Sequence, residues 1–227
     1  MRRLVLFDID GTLLTGGPAK EAFTSAMMET YGTLGDVDRV SFGGKTDPQI
    51  ARELLTGAGL DARAIDAGLP LLWERYLGHL RTGLAERPMR VLPGVREALD
   101  ALGALEDVAL GLLTGNILGG AELKLGSAGL WERFGVGGFG SDHEDRDRLP
   151  EVALERARRR WGPSIGPADT VIVGDTPRDV GCGRVCGART LAVATGTFSA
   201  AELEEAGADH VLADLTATDR LLELLLG

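Results

Sequence analysis

The feature that most constrains this chain is a short apolar run that stops at a polar functional group, a pattern it repeats. Leu4 to Phe7 runs into Asp8, Val108 to Leu113 runs into Thr114, and Val171 to Val173 runs through Gly174 into Asp175. Apolar runs this short, without alternation, mark strands covered on both faces, as in a parallel sheet. Thr190 to Val193 and His210 to Leu212 are further strand candidates. Helical spacing lies between the runs, as in Val95, Ala98, Leu99 and Leu102. It recurs in Val152, Ala153, Arg156 and Ala157 behind Pro150, a residue suited to a first helical turn. Ser199 with Glu202 spells a capping box. Strand and helix in alternation predict a doubly wound, Rossmann-like α/β fold with a parallel sheet.

One interval breaks the alternation. From Thr15 to Arg90 the periodicity is helical, with no convincing strand. Ala22, Phe23, Ala26, Met27, Thr30 and Tyr31 share one face, and Ile65, Leu69, Leu72, Trp73, Tyr76, Leu77 and Leu80 share another. Asp47 followed by Pro48 reads as a cap and first-turn pair for a helix carrying Ile50, Ala51, Leu54 and Leu55. Turn residues at Gly16-Gly17 and around Pro88 to Pro93 suggest hinges. The expected division is an α/β core of residues 1–14 and 91–227 with an inserted all-helical cap domain of residues 15–90.

Composition narrows the function. Asp+Glu number 34 against 24 Lys+Arg in 227 residues, a net charge of −10, which excludes nucleic-acid binding by net charge. At 44% hydrophobic residues the chain can bury a proper core. Its apolar runs fall far short of the roughly 18 residues of a membrane span. The apolar stretch after Arg2 and Arg3 stops at Asp8, shorter than the roughly 7 to 15 residues of a secretory signal, so a cytoplasmic protein is expected. Cys182 and Cys186 have no companion pair, and His79, His143 and His210 are scattered, so no zinc site is expected.

The chemistry is carried by the strand ends, because ligands of open parallel sheets bind at the carboxyl edge. Asp8 and Asp10 follow one strand, and Asp175 and Asp179 follow another. Two unit charges about 4 Å apart repel by roughly 4 kcal/mol at an effective dielectric of 20, so converging acids need a cation or protons. With oxygen ligands only, Mg²⁺ is the natural ion. Thr114-Gly115-Asn116 ends a strand and enters a helix, where a hydroxyl and free N–H groups make an anion seat. A carboxylate beside a metal can attack phosphorus while another, two residues on, protonates the leaving oxygen and then activates water.

The motifs Asp8-Ile9-Asp10-Gly11-Thr12, Thr114-Gly115-Asn116 and Gly174-Asp175-Thr176-Pro177-Arg178-Asp179, in that order, resemble those of the haloacid dehalogenase (HAD) superfamily. The resemblance spans the whole core. The insertion between the first two motifs is similar to the helical C1 cap of phosphoglycolate phosphatase and β-phosphoglucomutase. The resemblance implies Asp8 as nucleophile, Asp10 as general acid and base, and Thr114, with Gly115 and Asn116, as the phosphoryl seat. Asp8, the Asp10 backbone carbonyl and Asp175 would hold Mg²⁺, with Asp179 either a further ligand or an acid just behind the ligands. Asp10 itself favours phosphoryl transfer, because the dehalogenases of the family lack that second aspartate.

The third motif departs from the family, which places a lysine there. Asp145-Arg146-Asp147-Arg148-Leu149-Pro150 has none, so Arg146, Arg148 or Lys124 is left to supply the phosphate-binding charge. Lys45, in Gly43-Gly44-Lys45-Thr46-Asp47, is the candidate cap contact to substrate. Trp73, Tyr76 and Leu77 are expected in the cap core, and His143 in a surface loop. The resemblance implies a Mg²⁺-dependent phosphatase acting on a small phosphorylated metabolite through an aspartyl-phosphate, as a monomer or homodimer with no nucleic-acid or membrane partner. A sugar phosphomutase and a non-catalytic ligand-binding relative are the alternatives.

Overall fold

The computed structural model describes residues 3–227; Met1 and Arg2, the latter one of the two arginines ahead of the first apolar run, lie outside the described residues. Strands β1 (Arg3–Phe7), β4 (Val108–Thr114), β5 (Val136–Phe139), β6 (Thr170–Gly174), β7 (Arg189–Val193) and β8 (His210–Leu212) form one six-stranded sheet. Its spatial order is β5-β4-β1-β6-β7-β8 and every pairing in it is parallel. The chain winds outward from β1 through β4 to β5, then returns to β6 on the other side of β1. That reversal opens a crevice at the carboxyl ends of β1, β4 and β6, where such sheets bind ligands.

Burial explains why β1 is central. Leu4, Val5, Leu6 and Phe7 are all fully buried, so the strand has no solvent face. Val5 and Phe7 pack with α4 (Val95–Gly103), α5 (Leu118–Ser127) and α9 (Thr218–Leu226), while Leu4 and Leu6 pack with α6 (Leu149–Trp161) and α7 (Pro177–Cys186). The period-two alternation of a strand thus feeds two helical layers from one unbroken apolar run. The doubly wound α/β architecture is as expected.

Between β1 and α4 lie β2 (Leu14–Thr15), α1 (Ala19–Tyr31), α2 (Asp47–Gly57), α3 (Ala62–Glu86) and β3 (Arg90–Val91). The two short strands pair antiparallel, Leu14 opposite Val91 and Thr15 opposite Arg90, and so bring the ends of the helical insertion together. This ribbon escaped the sequence reading because two residues per strand show no period. The inserted helices bury Phe23, Met27, Leu54, Leu72 and Leu80 in the same hydrophobic cluster as Val5 and Phe7.

One cap assignment needs correction. Thr46, not Asp47, is the N-cap of α2, its hydroxyl accepting from the Gln49 N–H at 3.2 Å. Asp47 sits in the first turn and its carboxylate is used elsewhere. The Ser199–Glu202 capping box is present at α8 (Ala200–Glu205). Cys182 is buried and Cys186 half-buried, both as free thiols. Among the described residues no helix is long and apolar enough to cross a membrane.

Truncating Leu6 to alanine should cost about 2–5 kcal/mol of stability, since it leaves a cavity beneath a fully buried strand residue. Val185→Ala, at a side chain 60% exposed, should stay within about 0.5 kcal/mol. Urea denaturation of the two variants measures the contrast.

Candidate active site

Asp8 is the first residue beyond β1, and its N–H still donates to the Val173 carbonyl of β6 at 2.9 Å. The carboxylate is therefore carried at the end of a central strand, paired on both sides. Asp175 follows β6, and Asp179 lies in the first turn of α7. Oxygen atoms of Asp8, Asp175 and Asp179 lie within 4.8 Å of one another, and all three residues are buried. The chain must turn tightly after Asp8 to bring these acids together. Gly11 has φ +88°, and a Cβ there would stand 2.2 Å from Asp175 Oδ2, so only glycine fits.

The acids are held by specific donors. The Thr12 hydroxyl donates to Asp175 Oδ1 at 3.0 Å. The Thr176 N–H and hydroxyl both donate to Asp179 Oδ2, at 3.0 and 2.7 Å. The Arg146 guanidinium, only 3% exposed, donates to Asp179 Oδ1 at 2.6 Å and pairs with Asp8 Oδ1 at 3.2 Å. Its Nε is buried without a hydrogen-bond partner. Arg148, at the end of the short helical turn Arg146–Arg148, is exposed, whereas Arg146 is buried against the acids.

One cation among three acids leaves a surplus of negative charge, and the proton affinities register it. Burial pushes the Asp8 carboxyl up to about 6, with Arg146 opposing and Asp179 and Asp10 adding to the rise. Burial, then Asp8 and Asp179, push Asp175 up to about 8. Burial alone would lower the Arg146 pKa, but Asp179 and Asp8 raise it on balance, so its charge is fixed. The neighbouring Cys182 thiol is driven by burial up to about 12 and stays neutral.

Asp10 does not join this cluster. Its carboxylate turns instead towards α5, where Asp10 Oδ2 accepts from Lys124 Nζ at 2.6 Å and from Asn116 Nδ2 at 2.8 Å. The expected convergence of four carboxylates is thus three together and one apart. Thr114 is fully buried and its hydroxyl oxygen accepts from the Asn116 N–H at 3.3 Å and the Asn116 amide at 2.8 Å. With its lone pairs so engaged, its own proton is the group it can offer an anion.

The inserted segment closes onto this loop through backbone. Asp47 N–H donates to the Gly115 carbonyl at 2.8 Å, and the Ile117 N–H at the start of α5 donates to Asp47 Oδ2 at 2.8 Å. The Asp47 carboxyl, in a half-buried residue, is raised to about 6 by desolvation, against the pull of Lys124. Thr46 donates to the Glu144 carbonyl at 2.6 Å, and Arg52 Nε reaches both Glu144 carboxylate oxygens at 2.7 and 2.9 Å. A cavity of about 540 Å³ lies between these elements. The α/β core contributes Asp8, Asp10, Asp175, Thr114, Lys124 and Arg146 to its lining, and the inserted segment contributes Phe23, Phe42, Ile50 and Tyr76.

Lys45, the candidate substrate contact, lines the cavity, and its ammonium is paired with Glu53. Tyr76 is both core and wall, because its buried ring packs edge-on to Phe23 and also faces the cavity. Trp73 and Leu77 pack against the core without lining it. His143 is exposed in a loop. Sequence reading missed Thr12, Thr176 and the bridging role of Asp47. Their signal was position next to the acids, where a hydroxyl or carboxylate meets an otherwise unpaired group.

Gly115 lies at a close approach of the two halves, since a Cβ there would stand 2.0 Å from the Lys45 carbonyl oxygen. Gly115→Ala should push the segment around Lys45 off the Thr114 loop and cut kcat/KM by at least about tenfold, while thermal unfolding shows the chain still folded.

Comparison with known proteins agrees with this geometry. A HAD-hydrolase-like family model matches residues 149–218. The chain is 32% identical over 216 residues to the phosphoglycolate phosphatase of Chromobacterium violaceum, covering 91% of this chain and 90% of that protein. It is 30% identical over 198 residues to the N-acetylmuramic acid 6-phosphate phosphatase of Pseudomonas aeruginosa, covering 86% and 82%. A hydrolase of solved structure from Pseudomonas syringae shares the fold at a TM-score of 0.71 and 20% identity, with 99% of each chain covered. On the strength of the full-length likeness at 30% identity and above, the chain belongs to the haloacid dehalogenase superfamily and is a phosphatase-type hydrolase within it, similar to the phosphoglycolate phosphatases.

Proposed function

We propose that this chain is a Mg²⁺-dependent phosphatase that cleaves a small phosphomonoester through an aspartyl-phosphate on Asp8, with residues 15–90 acting as a cap over the site. The observation that carries the reading is the buried group of Asp8, Asp175 and Asp179 around Arg146 at the sheet edge, facing a cavity.

The donor set fits a hard cation. It is built of carboxylate oxygens, buried, and too rich in negative charge for its one arginine, as the raised Asp8 and Asp175 values record. Mg²⁺ held by Asp8, Asp175 and Asp179 would neutralise that surplus and polarise the phosphoryl oxygens.

The remaining work belongs to the chain's own groups. Arg146 presents a planar fork beside Asp8, a shape matched to phosphoryl oxygens. Thr114 offers its hydroxyl proton to the same group. The Asp8 carboxylate oxygen forms a bond to phosphorus as the ester P–O bond breaks, and the departing oxygen takes its electron pair and a proton from Asp10. Asp10, now a carboxylate, removes a proton from water as the water oxygen attacks phosphorus. Asp8 leaves with its electron pair, and inorganic phosphate is released.

The apolar wall of Phe23, Phe42, Ile50 and Tyr76 favours a substrate with a hydrocarbon or ring face beyond the ester oxygen. The two relatives are named for phosphoglycolate and for N-acetylmuramic acid 6-phosphate. Both belong with the wild-type protein in a panel of small phosphomonoesters.

Phosphate release from that panel and from p-nitrophenyl phosphate should require Mg²⁺ and cease in EDTA. Asp8→Asn should bring turnover to background with the fold intact, and retention of a substantial fraction of the wild-type rate would remove Asp8 as nucleophile.

Stability should also respond to pH, in the sense set by the raised carboxyls. Asp8 and Asp175 hold their protons more tightly in the folded protein than the ordinary 3.8. Their contribution is full below about pH 4 and is lost as pH rises through about 6 and then about 8. In EDTA the Tm should therefore decline between pH 5 and pH 8.5 relative to an Asp8→Asn, Asp175→Asn control. Added Mg²⁺ should raise the wild-type Tm more at the upper end, where the ligands are ionised.

A further inference from the structure

The chain has only three lysines, Lys20, Lys45 and Lys124, and all of them line the cavity. They are not equivalent. Lys45 is paired with Glu53, and Lys20 lies over the Phe42 ring at 5.5 Å from its centroid. Lys124 alone is withdrawn from water, its side chain 5% exposed, and it is committed to a carboxylate that is itself 46% exposed.

We propose that Lys124 is a positioning residue for the acid–base carboxylate of Asp10, while the cation acting at Asp8 is Arg146. The assignment rests on the phosphatase reading above and refines it. Lys124 Nζ donates to Asp10 Oδ2 and to Asn116 Oδ1, each at 2.6 Å. Asn116 completes the ring by donating from Nδ2 to the same Asp10 Oδ2 at 2.8 Å and to Thr114 Oγ1 at 2.8 Å. An ammonium has donors only, which fixes the amide with its oxygen towards Lys124 and its nitrogen towards Asp10.

Both donors take Oδ2, so Oδ1 is the Asp10 oxygen left to carry the transferable proton. A short, half-exposed side chain in a turn would otherwise sample several rotamers, and proton transfer requires hydrogen-bond reach to the leaving oxygen. The phosphoryl side already has its cation. Arg146 stands 3.2 Å from Asp8 and 2.6 Å from Asp179, whereas among the described residues Lys124 pairs with Asp10. The two basic residues are therefore divided between the two catalytic acids.

The division is tested by leaving-group dependence. Phenyl phosphate and p-nitrophenyl phosphate are close in shape, but phenolate is much the more basic leaving group and depends more on a donated proton. Single-turnover release of the phenol from each, with enzyme in excess and Mg²⁺ present, reads the first step alone. Lys124→Met should slow the phenyl ester by about 10²-fold and the nitrophenyl ester by less than about tenfold, the pattern also expected of Asp10→Asn. Lys124→Arg should recover part of the phenyl ester rate, because it restores a charged donor to Asp10.

Equal losses on both esters, with KM raised on both, would make Lys124 a phosphate ligand and overturn the assignment. Should Lys124→Met fail to fold by circular dichroism, Lys124→Gln is read by the same ratio. A wild-type protein inactive on both esters, or an Asp8→Asn variant still active, would instead bring down the phosphatase reading beneath the proposal. Wild-type activity that depends on Asp8, with equal losses at Lys124, would overturn the lysine assignment alone.

Discussion

The structure depends on placing three carboxylates, Asp8, Asp175 and Asp179, side by side out of water at the end of the central strands. Like charges about 4 Å apart repel by roughly 4 kcal/mol at an effective dielectric of 20, and removal from water adds to the cost. Arg146, Thr12 and Thr176 offset part of this. What they leave uncompensated is stored as proton affinity at Asp8 and Asp175. Such an arrangement persists only on a scaffold that resists relaxing, which is what β1, buried from Leu4 to Phe7 and bonded to a neighbour on each side, provides.

The same constraint shapes the chain around the acids. Gly11 is needed because Asp175 comes so close, and Asp179 serves two purposes at once. One of its oxygens caps the start of α7 through Thr176, while the other holds Arg146. A carboxylate at a helix N-terminus is favourable in its own right, so part of the electrostatic cost of the cluster is recovered in helix capping. The inserted helices are tied in by the segment from Lys45 to Asp47, whose backbone and carboxylate bond the Thr114–Ile117 loop. A shift of the insertion therefore acts directly on the proposed phosphoryl seat.

Much of this was legible in the sequence because it follows from local pattern. Apolar runs ending at Asp8, Thr114 and Asp175 fixed which residues meet at the sheet edge, since parallel strands deliver their ends to one place. Helical periodicity located α1 and α3, and Ser199 with Glu202 marked a cap that is present. What stayed hidden depends on direction rather than position. Asp10 lies two residues from Asp8, yet its side chain turns to α5, a direction that spacing alone does not encode. Asp47 read as a helix cap because its neighbour Pro48 suits a first turn; Thr46 took that place, leaving the Asp47 carboxylate for the Ile117 N–H across the chain. The β2–β3 ribbon is too short to leave a periodic trace.

The choice among the candidate cations was open in sequence for a related reason. A lysine or arginine near a motif names a charge but not the partner it faces. Geometry separates them by shape. Arg146 reaches both Asp8 and Asp179 from one side of the cluster through a single guanidinium nitrogen, Nη2. A lysine is a point donor on a flexible stem, suited to pinning one oxygen, and Lys124 pins Asp10 Oδ2 against Asn116. Replacing the family's third-motif lysine with arginine is therefore more than a change of cation. It sets one guanidinium nitrogen between two acids of the cluster, and in the proposed division the lysine on α5 occupies a different station beside the second aspartate.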